Sequence, residues 1–369
     1  MDLHLTPDQQ LLVSTARDFL RRQCPPAVMA ESVASERGFS EELWKEISVL
    51  GWPGLLVPAE YGGSGGSMIY VALLLEEMGR ACFPSPYTQS AVVAATLIAT
   101  AGSAAQREGH LPALARGDRI GALALAEESA SIDDKSITLP GEPGGRVTGR
   151  KLFVNDAHVA DELIVATRGG SGLNLFLLEA RRPGITVLPM EAMAGDRPCE
   201  VSFADVVLRG EDTLGAPGRG WEMLRPALQA GALARAAEMV GCAQRILDIA
   251  VEHAKGRKQF GRPLGSFQAI QHACADLLRD VETARGLAYR AASWIDAGRD
   301  ASAEVAMAKA YAGRTAQAVA RKGHQLLGAI SFCEEHSLHL FHKRIVAAAL
   351  DFGDPSHHLE TVASAMGLA

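Results

Sequence analysis

The residues most able to do chemistry lie in Arg257-Lys-Gln-Phe-Gly-Arg-Pro-Leu-Gly-Ser-Phe-Gln-Ala-Ile-Gln-His272. A cation, an amide and an aromatic fall within four positions, ahead of a glycine and a proline that favour a tight turn. Arg257 could clamp a phosphate through two parallel N–H groups, and Phe260 could lie against a planar ring. Pro263 and Ser266 read as the start of the next helix, whose first N–H groups lack partners within the helix and would add to an anion site. His336, His339 and His342 recur every three residues beside Glu335, a spacing that drifts around a helix, so a polar helix face at a subunit contact is expected and no metal. His357-His358 after Asp354-Pro355 reads as the opening of the last helix, with Asp354 as its N-cap. Gly62-Gly-Ser-Gly-Gly66 lacks the GxxxxGK[ST] arrangement and follows no strand, so it reads as a flexible connector. No GxGxxG follows an early strand, which argues against a nicotinamide-binding domain.

Three zones must position these groups. Thr6, Pro7 and Gln9 form a helix start with a capping box and a proline at the first helical position, and Leu12, Ala16, Phe19 and Leu20 follow on one face. A second helix begins at Ser40, with Trp44 and Ile47 inward, and ends at Gly51, Pro53 and Gly54. From about residue 119 to 214 the pattern becomes short apolar runs between turn residues, at 121–127, 146–154, 162–168, 173–179, 185–188 and 201–208. Beyond Gly215-Ala-Pro-Gly-Arg-Gly220 it is helical again, near 222–255, 266–297, 302–327, 334–350 and 355–367. Long Ala-rich helices with short loops make an antiparallel bundle, and their surplus apolar faces favour self-association. The fold class is α+β and multidomain: an N-terminal helical domain (1–117), a middle antiparallel β-barrel or sandwich (118–215) and a C-terminal antiparallel helical bundle (216–369).

Composition bounds the partners. The net charge of −7 carries no long run of one sign, which excludes a polyanion-binding surface, so neither nucleic acid nor a membrane is expected. Aromatics are 5% of the chain, so the core must rest on Ala, Leu, Val and Ile. Six scattered cysteines without a CxxC pair read as reduced, mostly buried thiols of a cytoplasmic protein. The N-terminus has no basic leader and no apolar run is long enough to span a bilayer, so a soluble, unprocessed chain is expected.

The 257–272 segment closely resembles the RxQFGxPxxxFQAxxH signature of the acyl-CoA dehydrogenase family. Leu56-Val-Pro-Ala-Glu-Tyr-Gly-Gly63 looks like that family's N-terminal loop, Gly149-Arg-Lys-Leu-Phe-Val-Asn155 like its middle-domain strand, and Gln325-Leu-Leu-Gly-Ala-Ile-Ser-Phe332 like its QxxGGxGF segment. The resemblance covers essentially the whole chain. It implies an FAD enzyme of lipid metabolism that oxidises an acyl-CoA thioester to the 2,3-enoyl product. A carboxylate takes the proton beside the carbonyl, the β-hydride passes to the flavin, and an electron-transferring flavoprotein takes the electrons. By the same resemblance Arg257, Gln259 and Phe260 would meet the FAD of a neighbouring subunit, with Gln268 nearby. Gln325 and Gly328 would run along its adenosine-pyrophosphate portion, and Phe153 and Asn155 would flank the flavin ring. FAD binding then needs at least a dimer, and a dimer of dimers is expected.

Several positions depart from the family pattern. The LTEPxAGSD loop reads Leu125-Ala-Glu-Glu-Ser-Ala-Ser-Ile-Asp133: Ala126 replaces a threonine that hydrogen-bonds the flavin, and Glu128 replaces proline and brings a negative charge. Ala329 and Ser331 replace glycines where backbone should approach the cofactor closely. The family places its glutamate base either on the long helix, here at about Gly231, or near the C-terminus, here at about Phe352; neither is a carboxylate. Asp351 is adjacent to the second position and is the candidate base of this chain. Glu238 lies two turns beyond Gly231, about 10.5 Å along the axis at 1.5 Å per residue, too far for direct proton abstraction.

Two functions follow. One is an acyl-CoA dehydrogenase with Asp351 as base. The other is a base-lacking partner in an α2β2 assembly with a second acyl-CoA dehydrogenase chain, as in actinobacterial members acting on steroid side chains, which this chain resembles around Glu334–Leu340 and Gly353–His358. Small residues at Ala230, Gly231, Ala232 and Ala234 leave room for a bulky or branched acyl group.

Overall fold

The computed structural model describes residues 5–368. Residues 1–4, part of the segment read as lacking a basic leader, lie outside the described residues, as does residue 369. Helices α1 (Pro7–Gln23), α2 (Pro26–Ala34), α3 (Glu41–Val49), α4 (Met68–Arg80), α5 (Ala95–Ala101) and α6 (Ala104–Ala115) come first. Strands β1 (Gly121–Ala124), β2 (Arg146–Asn155), β3 (Glu162–Gly169), β4 (Gly172–Glu179), β5 (Ile185–Pro189) and β6 (Pro198–Val207) follow. The rest is helical apart from one short hairpin: α7 (Gly220–Gly256), β7 (Lys258–Gln259), β8 (Arg262–Pro263), α8 (Gln268–Asp296), α9 (Ser302–Leu327), α10 (Leu338–Leu350) and α11 (Pro355–Ala365).

Local chemistry explains the ends of these elements. The Thr6 hydroxyl accepts from the Gln9 amide while the Gln9 side chain accepts from the Thr6 N–H, closing the capping box at α1. Ser40 caps α3, and Asp354 caps α11 with Pro355 in its first turn. The C-terminal region departs from expectation at two helix starts. A 3-10 turn at Leu264–Ser266 precedes α8, which begins at Gln268, and a second at Gly328–Phe332 delays α10 to Leu338. The glycine stretch 62–66 is not a flexible connector. The amides of Ser64, Gly65 and Gly66 donate to the carbonyls of Gly54, Val57 and Leu55, and a Cβ on Gly63 would fall 2.1 Å from the Val57 carbonyl oxygen.

The chain forms two compact units, one holding the residues up to Glu31, Met68–Phe83 and the chain from Ala232, the other Ser32–Ser67 and Pro84–Gly231. The second unit contains two three-stranded sheets, ordered β1-β3-β4 and β2-β6-β5. They are sandwiched and not closed into a barrel, and one pairing, β1 with β3, is parallel. That pairing arises because β2, the strand between them in sequence, joins the other sheet. Phe176, Val165 and Leu178 of one sheet and Val147, Val201 and Phe203 of the other share a single apolar cluster. Burial runs unbroken along most of β3 and β4, which marks a sheet covered on both faces.

The first unit is the bundle. In it α4 crosses α7 backbone to backbone: a Cβ added to Gly79 would fall 2.1 Å from the Glu238 carbonyl oxygen and one added to Gly241 1.9 Å from that of Glu76. Backbone meets backbone there, so nothing larger than glycine fits without moving a helix. We expect Gly241→Ala to destabilise the chain by about 3 kcal/mol, read as a lower denaturation midpoint. Gly286→Ala, in α8 where an added Cβ meets nothing, should stabilise by about 0.5–1 kcal/mol.

Candidate functional site

In the second unit the loop after β1 is built on a buried ion pair. Lys151 of β2 is fully buried, and its ammonium donates to the Leu125 carbonyl at 3.0 Å and to Glu127 Oε1 at 2.7 Å. Glu127 also accepts from the Thr138 amide at 3.0 Å and the Leu139 amide at 2.9 Å. Burial alone would raise the Glu127 pKa, but the hydrogen bonds from Lys151, Thr138 and Leu139 outweigh it and hold the carboxyl below its ordinary value. Burial draws the Lys151 ammonium the other way, lowering its pKa despite Glu127. The pair fixes the floor of an open cavity of about 680 Å³ walled by Ser129, Ser131, Ser136 and Arg150.

Two departures from the family loop are accommodated here. The Ala126 carbonyl accepts from the Leu152 amide, so the backbone holds without a threonine hydroxyl. Glu128 is met by Arg150 at 2.6 Å, so its charge has a counter-ion. Phe153 falls where the β2–β6 register shifts, on a left-handed backbone (φ 55°), and its ring is 47% exposed. A bulge at that point re-aims the side chain out of the ladder. Asn155 ends the same strand.

In the first unit, β7 and β8 form a two-residue hairpin with Phe260 and Gly261 at its tip, both at positive φ as the tight hairpin turn demands. Phe260 is 88% exposed, with its edge toward Phe267, and the Arg262 guanidinium lies 4.0 Å over the Phe267 ring. Arg257, Gln259 and Gln268 are exposed on the same hairpin and helix start. Gln325 is exposed in the last turn of α9, and Gly328 ends that helix at φ 74° and ψ −151°, a backbone open essentially to glycine alone, with free space where a Cβ would stand. Ser331 is buried, its hydroxyl engaged by the Gly328 carbonyl and His324.

The carboxylate positions are set by charge. Asp351 ends α10, and its Oδ2 accepts from Arg235 Nε at 2.9 Å. Arg235 also donates to Glu238 at 2.7 Å, and Arg344 to the same carboxylate at 2.6 Å. Burial of Glu238 opposes its charge, yet the two guanidiniums prevail and hold its pKa below the usual carboxylate value. Phe352, next to Asp351, is buried with φ 56°, and Gly231 is buried in α7. Lys309 of α9, 1% exposed, donates to the carbonyls of Ala349 and Gly353 at 3.0 and 2.9 Å and so braces the turn that carries Asp351 and Phe352. Sequence reading missed Arg235, Lys309 and Lys151. Arg235 and Lys309 are lone cations among small and apolar neighbours, whereas Lys151 follows Arg150 and has no local sign that sets it apart.

Comparisons with known proteins agree with this architecture. Residues 6–118 match the acyl-CoA dehydrogenase N-terminal domain and residues 218–367 its C-terminal domain. A probable acyl-CoA dehydrogenase of Bacillus subtilis is 31% identical over 352 residues, spanning 92% of each chain. The structure of butyryl-CoA dehydrogenase from Megasphaera elsdenii superposes with a TM-score of 0.92 at 28% identity, over 99% of this chain and 100% of that one. A chain from the ChsE4–ChsE5 complex of Mycobacterium tuberculosis superposes at 0.91 with 26% identity, over the full length of both. The chain belongs to the acyl-CoA dehydrogenase family, FAD-dependent oxidoreductases that act on CH–CH donors. Among the described residues no helix is long and apolar enough to cross a membrane, and no group of His, Cys, Asp or Glu is arranged to hold a metal ion.

The residues present fit FAD. Among the described residues the Arg257 side chain is exposed and its guanidinium has no protein partner, the Phe260 ring packs little against its own chain, and Gly328 presents backbone free of a Cβ. A free guanidinium, an exposed ring and an open stretch of backbone are groups of the kind that a phosphate, a planar ring and a closely approaching cofactor would use.

The brace under Asp351 carries its own pH signature. Burial draws the Lys309 pKa down to about 7 from 10.5, against the opposing pull of Asp351. Between those values the unfolded chain binds more protons than the folded one, so stability should rise with pH from 7 upward and fall as pH drops toward 7. We expect the urea midpoint to climb from pH 7 to 9, by up to about 1.4 kcal/mol per unit, and Lys309→Met to flatten that slope.

Proposed function

We propose that this chain is the base-lacking subunit of an α2β2 acyl-CoA dehydrogenase, completing the FAD site for a second family chain that supplies the catalytic carboxylate. The reaction is the α,β-desaturation of an acyl-CoA thioester. One observation carries the reading: the two family base positions hold Gly231 and Phe352, and the neighbouring carboxylate, Asp351, is bound to Arg235. The Asp351 carboxylate supplies, with Glu238, the second negative charge facing the two buried guanidiniums of Arg235 and Arg344. Asp351 is a counter-ion before it is a base.

The remaining roles follow from chemistry. FAD, when bound, supplies the hydride acceptor. Arg257 offers a phosphate its guanidinium, Gln259 and Gln268 offer amides, and Phe260 a ring face. Gln325 and Gly328 give the adenosine-pyrophosphate portion a backbone shelf, while Phe153 and Asn155 flank the flavin ring. The small side chains of Ala230, Ala232 and Ala234, with Gly231, suit a bulky acyl group such as a steroid side chain. An electron-transferring flavoprotein is the electron acceptor, and the cytoplasm the compartment. The likeness to a chain of a two-protein complex supports division of labour between unlike subunits.

Purified alone, the chain should hold well under one FAD per protomer and fail to bleach with acyl-CoA under anaerobic conditions, and co-expression with a second family chain should yield a yellow, active heteromer. Stoichiometric FAD and desaturation by the lone chain would overturn the proposal. Asp351→Asn is the sharper probe. In the heteromer it should leave the rate constant of flavin reduction within about twofold, whereas loss of a true base costs 10²-fold or more.

A further inference from the structure

The 3-10 turn Gly328–Phe332 follows directly from α9 and is held by a chain of side-chain hydrogen bonds. Ser331 is fully buried and its Oγ lies 2.7 Å from the Gly328 carbonyl oxygen, 2.9 Å from His324 Nδ1. His324 Nε2 lies 3.1 Å from His342 Nδ1 on α10. The His324 ring is buried beneath Phe332, stacked at 4.5 Å and 21°, and Phe332 itself is 73% exposed.

The direction of these bonds is forced. A hydroxyl has one proton. If Ser331 gave it to His324, two acceptor oxygens would face each other at 2.7 Å, so Ser331 donates to the Gly328 carbonyl and accepts from the His324 Nδ1–H. His324 Nε2 is then the acceptor, and the donor is the His342 Nδ1–H. We propose that His342, His324 and Ser331 form a one-way hydrogen-bond relay that positions the Gly328–Phe332 turn, and that the relay holds only while His324 is neutral.

Acid breaks it at a definite atom. A proton on His324 Nε2 would confront the His342 Nδ1–H across 3.1 Å, two donors with no acceptor between them. The surroundings offer no relief: His342, His336 and His339 act on His324, Arg321 on His342, and His253 and His339 on His336, with no carboxylate among them. Burial first, then these neighbours, lowers the pKa of His324 below 6.5. A depressed imidazole pKa means that the stabilisation is in place above about 6.5 and is lost as pH falls below it. His342, His324 and Ser331 are positioning residues, and their link to catalysis rests on the reading that Gln325 and Gly328 face FAD.

His342→Asn separates titration from packing. The Asn amide can donate to neutral His324 and, flipped, can accept from protonated His324, so the relay survives acid. His342→Ala removes the link at every pH. In the full chain, amide hydrogen exchange across residues 328–333, corrected for intrinsic rates, should show lower protection at pH 5.5 than at 7.5, by up to about tenfold, the ceiling when only the opened turn takes the proton at an ordinary imidazole pKa of about 6.5. The Asn variant should lose little between the two pH values, and the Ala variant should be unprotected at both. Equal pH dependence in wild type and the Asn variant, or full protection in the Ala variant, would overturn the relay. In the heteromer, FAD content should fall with the protection. If the turn loosens while FAD stays, the relay stands and the cofactor-facing placement of Gln325 and Gly328 fails.

Discussion

Arg235 and Arg344 dictate what this chain can do. Two guanidiniums inside an apolar bundle must find carboxylates, because an unpaired buried charge would cost more than the rest of the site could return. They find Glu238 and Asp351, so each acidic group of the cluster is engaged by a guanidinium. The same charges sit beside Lys309, whose hold on the Ala349 and Gly353 carbonyls keeps the turn after α10 in one shape.

The segments that resemble the family's motifs are intact where they project outward and altered where they lie against the chain itself. The 257–263 hairpin keeps an unpartnered guanidinium and an exposed ring, features that gain a use only when something else arrives. The loop at 125–133 and the turn at 328–332 carry substitutions, and each is answered locally: Arg150 meets Glu128, the Leu152 amide meets the Ala126 carbonyl, and His324 meets Ser331. A chain that contributes its protruding half-site to another subunit would show this distribution.

Much of this was legible in the sequence. The capping box of α1, the caps of α3 and α11, the six strands and the long helices all appear near their expected residues, because each depends on neighbours within a few positions. The tight turn after α7 was legible for the same reason. Partners far apart in sequence were not. The parallel pairing of β1 with β3, the open sandwich and the Arg235–Asp351 bond, which joins residues 116 positions apart, are set by tertiary placement. The ordered 62–66 loop misled for a related reason. Glycines that permit flexibility also permit tight packing, and only the surrounding backbone decides between them.

The α4–α7 crossing has a mechanical consequence. Most helix contacts transmit displacement through side chains that can change rotamer and absorb part of it. Here carbonyl oxygens rest on Cα atoms at Gly79 and Gly241, and a peptide plane has no rotamers. The two helices are coupled as stiffly as a single beam. The Glu238 carbonyl bears on α4 while its carboxylate grips Arg235 and Arg344, and one turn away Glu77 grips Arg17 of α1. The rigid link ends at the crossing, and on either side of it, toward α1 and toward the Asp351 turn, the path continues through side chains.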